Sequence, residues 1–465
     1  MKSNKLLVNI GMSMLVQVVS LLTSFVVSLI VPKYIDILDY SHWQTYILYS
    51  SYVSIFQLGL IDGFILKYSK YNYDELNKDE VRSQLQIFLS FLFLVSIITI
   101  ILSVLFLDGI SRILVILLAI SIVVKNHYFY SSTICQITYR IDKYSKITIL
   151  QRASYLIGVV ILLLLGVKEF YWFCIADIVG DVFSCFLAIK YNKELTVGRI
   201  VNLKIAFKNV RKNVKCGLSL FLANYSTALI VGAAKMLVKF KWGNISFGKI
   251  SFGFSLTNLF LTFITSISIV LFPSLKRIDE KKLPIMYSKI RKLSTLVLFL
   301  SLAFYYPIAS VINAWIPQYS ESIRHMFYLL PIVAFVTRTN LLTNNYLKIF
   351  RREKQMLAIN GIFALIGVCV YLLCAFVFNN LTGILMGVVV IEILKFVMSE
   401  IVVGQDIKNK YIINDLFEII LVAVFYLSMT YLQPLSATLV YLSFVLVYGM
   451  FCYIVTSRSH SSTIS

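Results

Sequence analysis

Almost every stretch of this chain long enough to make a helix is apolar all round and nearly free of charge. Such runs occupy positions 6–30, 43–66, 84–107, 113–136, 147–167, 170–190, 216–237, 250–274, 293–313, 325–346, 356–377, 382–403, 415–432 and 435–456. A helix of about 20 residues matches the roughly 30 Å of a bilayer's hydrocarbon core. A helix on the surface of a soluble protein would instead carry one apolar stripe and a polar face. The runs therefore predict an all-α polytopic membrane protein with about fourteen transmembrane helices. Charged residues make up only 14% of the 465 positions, against about 25% in a soluble protein. No polar stretch exceeds roughly 30 residues, so no separate soluble domain is expected.

The net charge of +21 would suggest nucleic acid in a soluble domain. Here its distribution points elsewhere. With the N-terminus inside, the cytoplasmic segments carry 32 Lys and Arg and the outer segments 8, with Lys125, Arg338 and Lys395 inside helices. Positive charge is retained on the cytoplasmic side of a membrane. The expected protein is therefore a multi-pass component of a plasma membrane with both termini cytoplasmic, binding no nucleic acid. Lys2 and Lys5 precede the first run as they would in a signal peptide. That run reaches about 25 residues without a small-residue cleavage site, longer than a signal peptide's apolar region, and is read as an uncleaved helix. Trp43, Trp172, Trp242 and Trp315 all fall at or near the outer interface, where indoles favour the headgroup layer.

The chain also shows an internal echo. Gly11-Met-Ser-Met-Leu-Val-Gln-Val-Val-Ser20 aligns with Gly217-Leu-Ser-Leu-Phe-Leu-Ala-Asn-Tyr-Ser226, with Gly and both Ser identical. The second copy begins after six helices, so the two copies cross the membrane in the same direction. That is the arrangement of parallel repeats related by an axis along the membrane normal. The expected organisation is a six-helix lobe at 1–190, a basic cytoplasmic linker at 191–215, a second six-helix lobe at 216–403, and two further helices with a short tail at 404–465.

Two stretches carry a family likeness. The first run is followed by Val31-Pro32-Lys33-Tyr34, and the second ends in Leu58-Gly59-Leu60 with Asp62 and Gly63 just beyond. The helix exit near 270 reads Leu271-Phe-Pro-Ser-Leu-Lys-Arg-Ile-Asp279. In these features the chain resembles the bacterial lipid-linked oligosaccharide flippases of the multidrug/oligosaccharidyl-lipid/polysaccharide exporter superfamily. The resemblance implies two lobes of six helices facing a cavity, plus two added helices. It also implies export of O-antigen or capsule repeat units across the bacterial inner membrane. The implied partners are a polyprenyl-pyrophosphate-linked glycan, membrane lipid and the polymerase of the same pathway, and one copy would suffice for transport.

No catalytic constellation is visible. His42, His127, His325 and His460 lie in separate segments, and the sequence has no HExxH, P-loop or GxSxG; no cofactor is expected and an ATP-driven pump is excluded within this chain. The seven Cys fall mostly in apolar runs without CxxC or Cys/His spacing, which supports neither a disulfide framework nor a metal site. What stands out is charge and amide inside the membrane, where each such group costs about 2.5–3.5 kcal/mol on insertion scales. Arg338, seven residues before Asn345 and on the same face, is the leading candidate for a substrate cavity. Lys125, His127, Lys395, Gln17 and Asn224 join it, the last two on near-equivalent turns of the repeat. Asp62, Asp177, Asp181 and Glu392 are the candidates for ion coupling. Asp177 and Asp181 lie one turn apart, and Glu392 and Lys395 stand at i and i+3. Each has a plain alternative as interhelical glue.

An anionic lipid-linked glycan gives these groups a use. Pyrophosphate and sugar hydroxyls cannot cross hydrocarbon without partners, and Arg or Lys offers charge-assisted bonds to phosphate. Moving one negative charge outward across an inside-negative membrane is favourable by about 2.3 kcal/mol per 100 mV. Two alternatives stay open. A multidrug cation antiporter of the same superfamily disfavours cations in its cavity, which counts against it if Arg338 and Lys125 face inward. A membrane-embedded polysaccharide polymerase or ligase, an enzyme, usually carries a large outer loop with Arg; the longest outer link here, Lys235 to Lys249, is short and has none.

Overall fold

The structure, a computed structural model, describes residues 2–199, 202–268, 282–409 and 411–461. The Leu271–Asp279 stretch lies outside the described residues. Sixteen principal helices follow one another. They are α1 (Lys2–Phe25), α2 (Ile37–Ser51), α3 (Leu60–Tyr68), α4 (Lys78–Phe106), α5 (Gly109–Ile137), α6 (Ile141–Leu164), α7 (Phe170–Tyr191) and α8 (Leu203–Ser268). The rest are α9 (Leu283–Leu302), α10 (Tyr305–Trp315), α11 (Ser320–Leu329), α12 (Ile332–Arg338), α13 (Glu353–Leu372), α14 (Leu381–Asp406), α15 (Ile412–Tyr431) and α16 (Pro434–Ser461). No strand occurs among the described residues.

Ten of these helices are long and apolar enough to cross a membrane, and up to thirteen spans result if each bent pair is one span. The bends are 59° between α2 and α3, 43° between α9 and α10, and 50° between α11 and α12. The fold is thus all-α and polytopic. The sequence predicts separate helices at 216–237 and 250–274; the structure likewise has two helices within α8, which meet at a kink at Gly243 (φ 80°, ψ −177°). A side chain would strain that backbone conformation, and glycine adopts it freely. The run also starts well before 216, at Leu203.

The helices are apolar on the outside. On α4, Phe91, Leu94, Ile98, Ile101 and Leu105 form an exposed stripe at helical spacing, while Leu85, Phe88, Leu92 and the hydroxyls Ser96 and Ser103 are buried. In water this would be inside out; in a bilayer it satisfies both environments, because lipid tails accept the apolar stripe. Ser96 donates to the Ala119 carbonyl at 2.7 Å, joining α4 to α5.

The chain divides into two compact units, Met1–Tyr225 and Ser226–Ser465. In the first, α6 packs on α1 and α7, α5 packs on α4 and α7, and α2 and α3 lie on α5. In the second, α14 packs on α11, α12, α13 and α15, and α9 packs on α12 and α16. Trp43 departs from the interfacial role its position suggests. It is completely buried and tilts against Phe173 with centroids 5.4 Å apart, because α2 turns it onto α7 rather than outward.

The Gly59–Gly63 stretch has a packing reason. Leu58 and Gly59 both adopt left-handed conformations, φ 49° and 84°, and so turn the chain between α2 and α3. Gly59 and Gly63 then stand one turn apart on the face that meets α8. A Cβ on Gly63 would lie 2.1 Å from the Asn213 carbonyl oxygen, and a Cβ on Gly217 would lie 2.1 Å from that of Gly59. Backbone meets backbone here, as small residues permit between membrane helices.

Candidate functional site

Each unit encloses a cluster of charged groups. In the first unit Lys125 of α5 reaches α7. Its Nζ lies 2.7 Å from Asp177 Oδ2 and 3.0 Å from Asp181 Oδ2. Gln151 of α6 donates Nε2 to Asp181 Oδ1 at 3.0 Å. Tyr46 of α2 donates to Asp177 Oδ2 at 3.1 Å and exchanges a 2.9 Å hydrogen bond with Ser121. Four helices are thus tied through one ammonium. The sequence assigns Lys125 to substrate and the two aspartates to ion coupling; the structure makes them one cluster with one cation and two carboxylates. Asp181 is buried at 2% side-chain exposure, while Lys125 and Asp177 keep 14% and 17%.

In the second unit Arg338, the last residue of α12, is wholly buried and bonds the Glu418 carboxylate of α15. Its guanidinium carbon sits 4.3 Å from the Phe396 ring centroid. Arg291 of α9 is the hub. Its Nε and Nη2 grip Glu400 of α14 at 2.8 and 2.9 Å, Nη2 also meets Asp415 Oδ1 at 2.5 Å, and Nη1 lies 3.0 Å from Glu418 Oε1. Tyr287 donates to Glu400 at 2.7 Å, and Tyr448 of α16 to Glu418 at 3.1 Å. Breaking a buried pair from one side costs about 3–5 kcal/mol, so this network holds α9, α12, α14, α15 and α16 in one arrangement. The sequence offers Arg338 as a cavity-facing cation; in this arrangement its charge is answered by Glu418 instead.

Lys395 and Glu392 meet on α14 at 2.5 Å, both buried. Their charges are matched by one another, which fits the i, i+3 spacing. Asn345 turns its amide to the Leu341 carbonyl at 2.9 Å rather than to Arg338, although the sequence spacing places the two on one face. The five-residue π-turn Thr339–Thr343 between them shifts the register that the sevenfold spacing assumes. Asn224 donates to Asp62 at 3.4 Å, placing α8 beside α3, and neither side chain is fully buried. His127 is buried next to Asn126, which accepts from Gln57 at 2.7 Å. Gln17 is half-buried on α1.

Sequence reasoning passes over Tyr46 and Gln151, and the whole set Arg291, Glu400, Asp415 and Glu418. Arg291 falls in what reads as a basic loop before a helix at 293; the helix in fact begins at Leu283. Asp415 and Glu418 lie at i and i+3 at the start of α15, a signal of a shared polar face available in the sequence.

No protein-family model and no curated protein matches this sequence. Solved structures do. A lipid II flippase, MurJ, in its inward closed conformation aligns with a TM-score of 0.66 at 13% identity, covering 97% of this chain and 98% of that one. An inward-facing multidrug resistance MATE family transporter of the MOP superfamily aligns with a TM-score of 0.62 at 14% identity, covering 86% and 98%. The outward-facing conformation of a MATE family transporter gives 0.54 at 13%, covering 84% and 98%. The chain therefore has the fold of the MOP-superfamily transporters and flippases, a class of multi-pass membrane proteins. This is the fold that the resemblance at Val31–Phe64 implies.

Proposed function

We propose that this protein is a flippase that moves polyprenyl-pyrophosphate-linked oligosaccharide from the inner to the outer leaflet of a bacterial plasma membrane, for cell-surface polysaccharide such as O-antigen or capsule. The observation that carries this reading over a multidrug transporter is the extent of the fold match. The lipid II flippase accounts for 97% of the chain and the MATE transporter for 86%. The difference, about 50 residues, is the length of two membrane spans. In this reading 1–190 and 216–403 are the two lobes, joined by 191–215, and 404–465 supplies the added helices. The lobes rock about a pseudo-two-fold axis along the membrane normal, open inward and outward by turns, and stay within a single copy. Both termini face the cytoplasm, and the polymerase of the pathway takes the product.

Lys125, with its partial exposure, is the group in the first unit best suited to an anionic head group. It would exchange an aspartate for a phosphate oxygen during transport. Gln17, Asn224 and Asn345 would serve glycan hydroxyls, and Asp62, Asp177, Asp181 and Glu392 ion coupling. The test is reconstitution of the full chain in liposomes. A fluorescent polyprenyl-pyrophosphate oligosaccharide is followed as it becomes accessible to a membrane-impermeant quencher, with ethidium efflux measured in parallel. Protein-dependent lipid translocation without ethidium transport supports the flippase; ethidium transport without lipid translocation replaces it with the multidrug reading. Chain elongation of the glycan by the purified protein would replace it with the polymerase.

A further inference from the structure

The Arg291 cluster does not balance. Two guanidinium groups, Arg291 and Arg338, face three carboxylates, Glu400, Asp415 and Glu418, and none of these side chains is more than 3% exposed. Among the described residues, the other groups that touch the cluster are neutral: Tyr287 and Thr295 of α9, Tyr448 of α16, and Tyr411, whose ring centroid lies 4.9 Å from the Arg291 guanidinium carbon. With every acid ionised one negative charge would stand uncompensated among the described residues. A buried, unmatched charge costs several kcal/mol and is removed by neutralisation.

The hydrogen bonds say which acid takes the compensating charge. Glu400 has both oxygens engaged by Arg291 and one also by Tyr287. Glu418 has Oε2 on Arg338, and Oε1 on Arg291, Thr295 and Tyr448. Asp415 accepts from Arg291 through Oδ1 alone, its buried Oδ2 meets no donor among the described residues, and its carboxyl lies within hydrogen-bond reach of that of Glu400. Asp415 Oδ1 and Glu400 Oε2 also share one nitrogen, Arg291 Nη2, so two carboxylates are drawn together at a single donor. Two acids held this closely do not both ionise readily.

We propose that this cluster is a proton-binding site, with one exchangeable proton carried on Asp415 Oδ2. Binding forms an O–H bond on the carboxylate from a hydronium ion, and release returns the proton to water; no other bond changes. Asp415 stands in the first turn of α15, so the proton governs how firmly α15 docks on α9 and α14. Without it, Arg291 must hold three anions. The inference is independent of which substrate the protein moves.

The experiment is infrared difference spectroscopy on the full chain in lipid nanodiscs, titrated in pH, with aspartate carrying a 13C-labelled side-chain carboxyl. The expected result is a carboxylic-acid C=O band at neutral pH that shifts with the label and disappears in Asp415→Asn. It should also disappear in Glu400→Gln, where the surplus charge is gone and Asp415 ionises. It should persist in Asp181→Asn, which relieves the two-aspartate cluster of the first unit. If Asp415→Asn does not fold, the label shift in the Asp181→Asn background together with its loss in Asp181→Asn/Glu400→Gln decides the question. Absence of a labelled acid band at neutral pH overturns the proposal. So does loss of the band when sodium chloride replaces choline chloride, since a metal cation would then hold the charge.

Discussion

Replacing Gly217 by Ala tests whether backbone contact between α3 and α8 sets the geometry of the first unit. The new Cβ would lie 2.1 Å from the Gly59 oxygen and 2.2 Å from the Gly63 nitrogen, where ordinary contact begins at 3.4 Å. Both obstacles are backbone, so no side chain can swing aside, and the helices must part by about 1.3 Å at the crossing. Overpacking of this kind costs about 3 kcal/mol at the upper end of its usual range. Ala is a better helix former than Gly by about 1 kcal/mol, leaving a net loss of about 2 kcal/mol. For a unit of this size that corresponds to roughly 4–8 °C in apparent melting temperature. Gly11, the aligned position of the internal echo, supplies the control, because its Cβ would meet nothing within 4 Å. The assay is thermal unfolding in detergent followed by fluorescence-detected size exclusion. Gly217→Ala should melt earlier and Gly11→Ala no earlier than the parent. Equal melting of Gly217→Ala and the parent would refute the contact.

Three further outcomes follow from the charge clusters. Lys125→Met leaves Asp177 and Asp181 facing each other without a cation and should lower stability by about 3–5 kcal/mol, with partial recovery on adding Asp181→Asn; unchanged melting of the single variant would contradict the pairing. Arg338→Ala should lower folded yield by leaving Glu418 a partner short, and Arg338→Lys should retain part of it; a normal yield of Arg338→Ala with translocation abolished would move Arg338 from framework to substrate site. The partly exposed pair of Arg352 with Asp406, 2.8 Å apart, should matter little. Asp406→Asn is expected to change stability by less than about 1 kcal/mol, read in the same melting assay.

The candidate residues were partly legible because charge inside an apolar run is conspicuous in any sequence. Lys125, Asp177, Asp181, Arg338, Glu392 and Lys395 all stand out in this way, and all lie in charge pairs or clusters in the structure. Their grouping was not legible. Nothing in the spacing of Lys125 ties it to α7, and Arg291 is hidden by a helix that starts ten residues before the apolar run does. The echo between Gly11 and Gly217 is equally instructive, since the same residue in the same local pattern is open at one position and pressed between backbones at the other.

What the sequence by itself determined is the solvent and the element: long uncharged runs can exist only as helices in lipid, because every backbone group must be satisfied within its own segment. The bend at Gly243 and the turn at Leu58–Gly59 belong to the same level, being local consequences of glycine. Only the tertiary structure decided which intramembrane charge meets which. A helical period tells which residues share a face, but not which helix lies against that face. An ion pair at 2.7 Å between residues 52 positions apart is fixed by that adjacency alone.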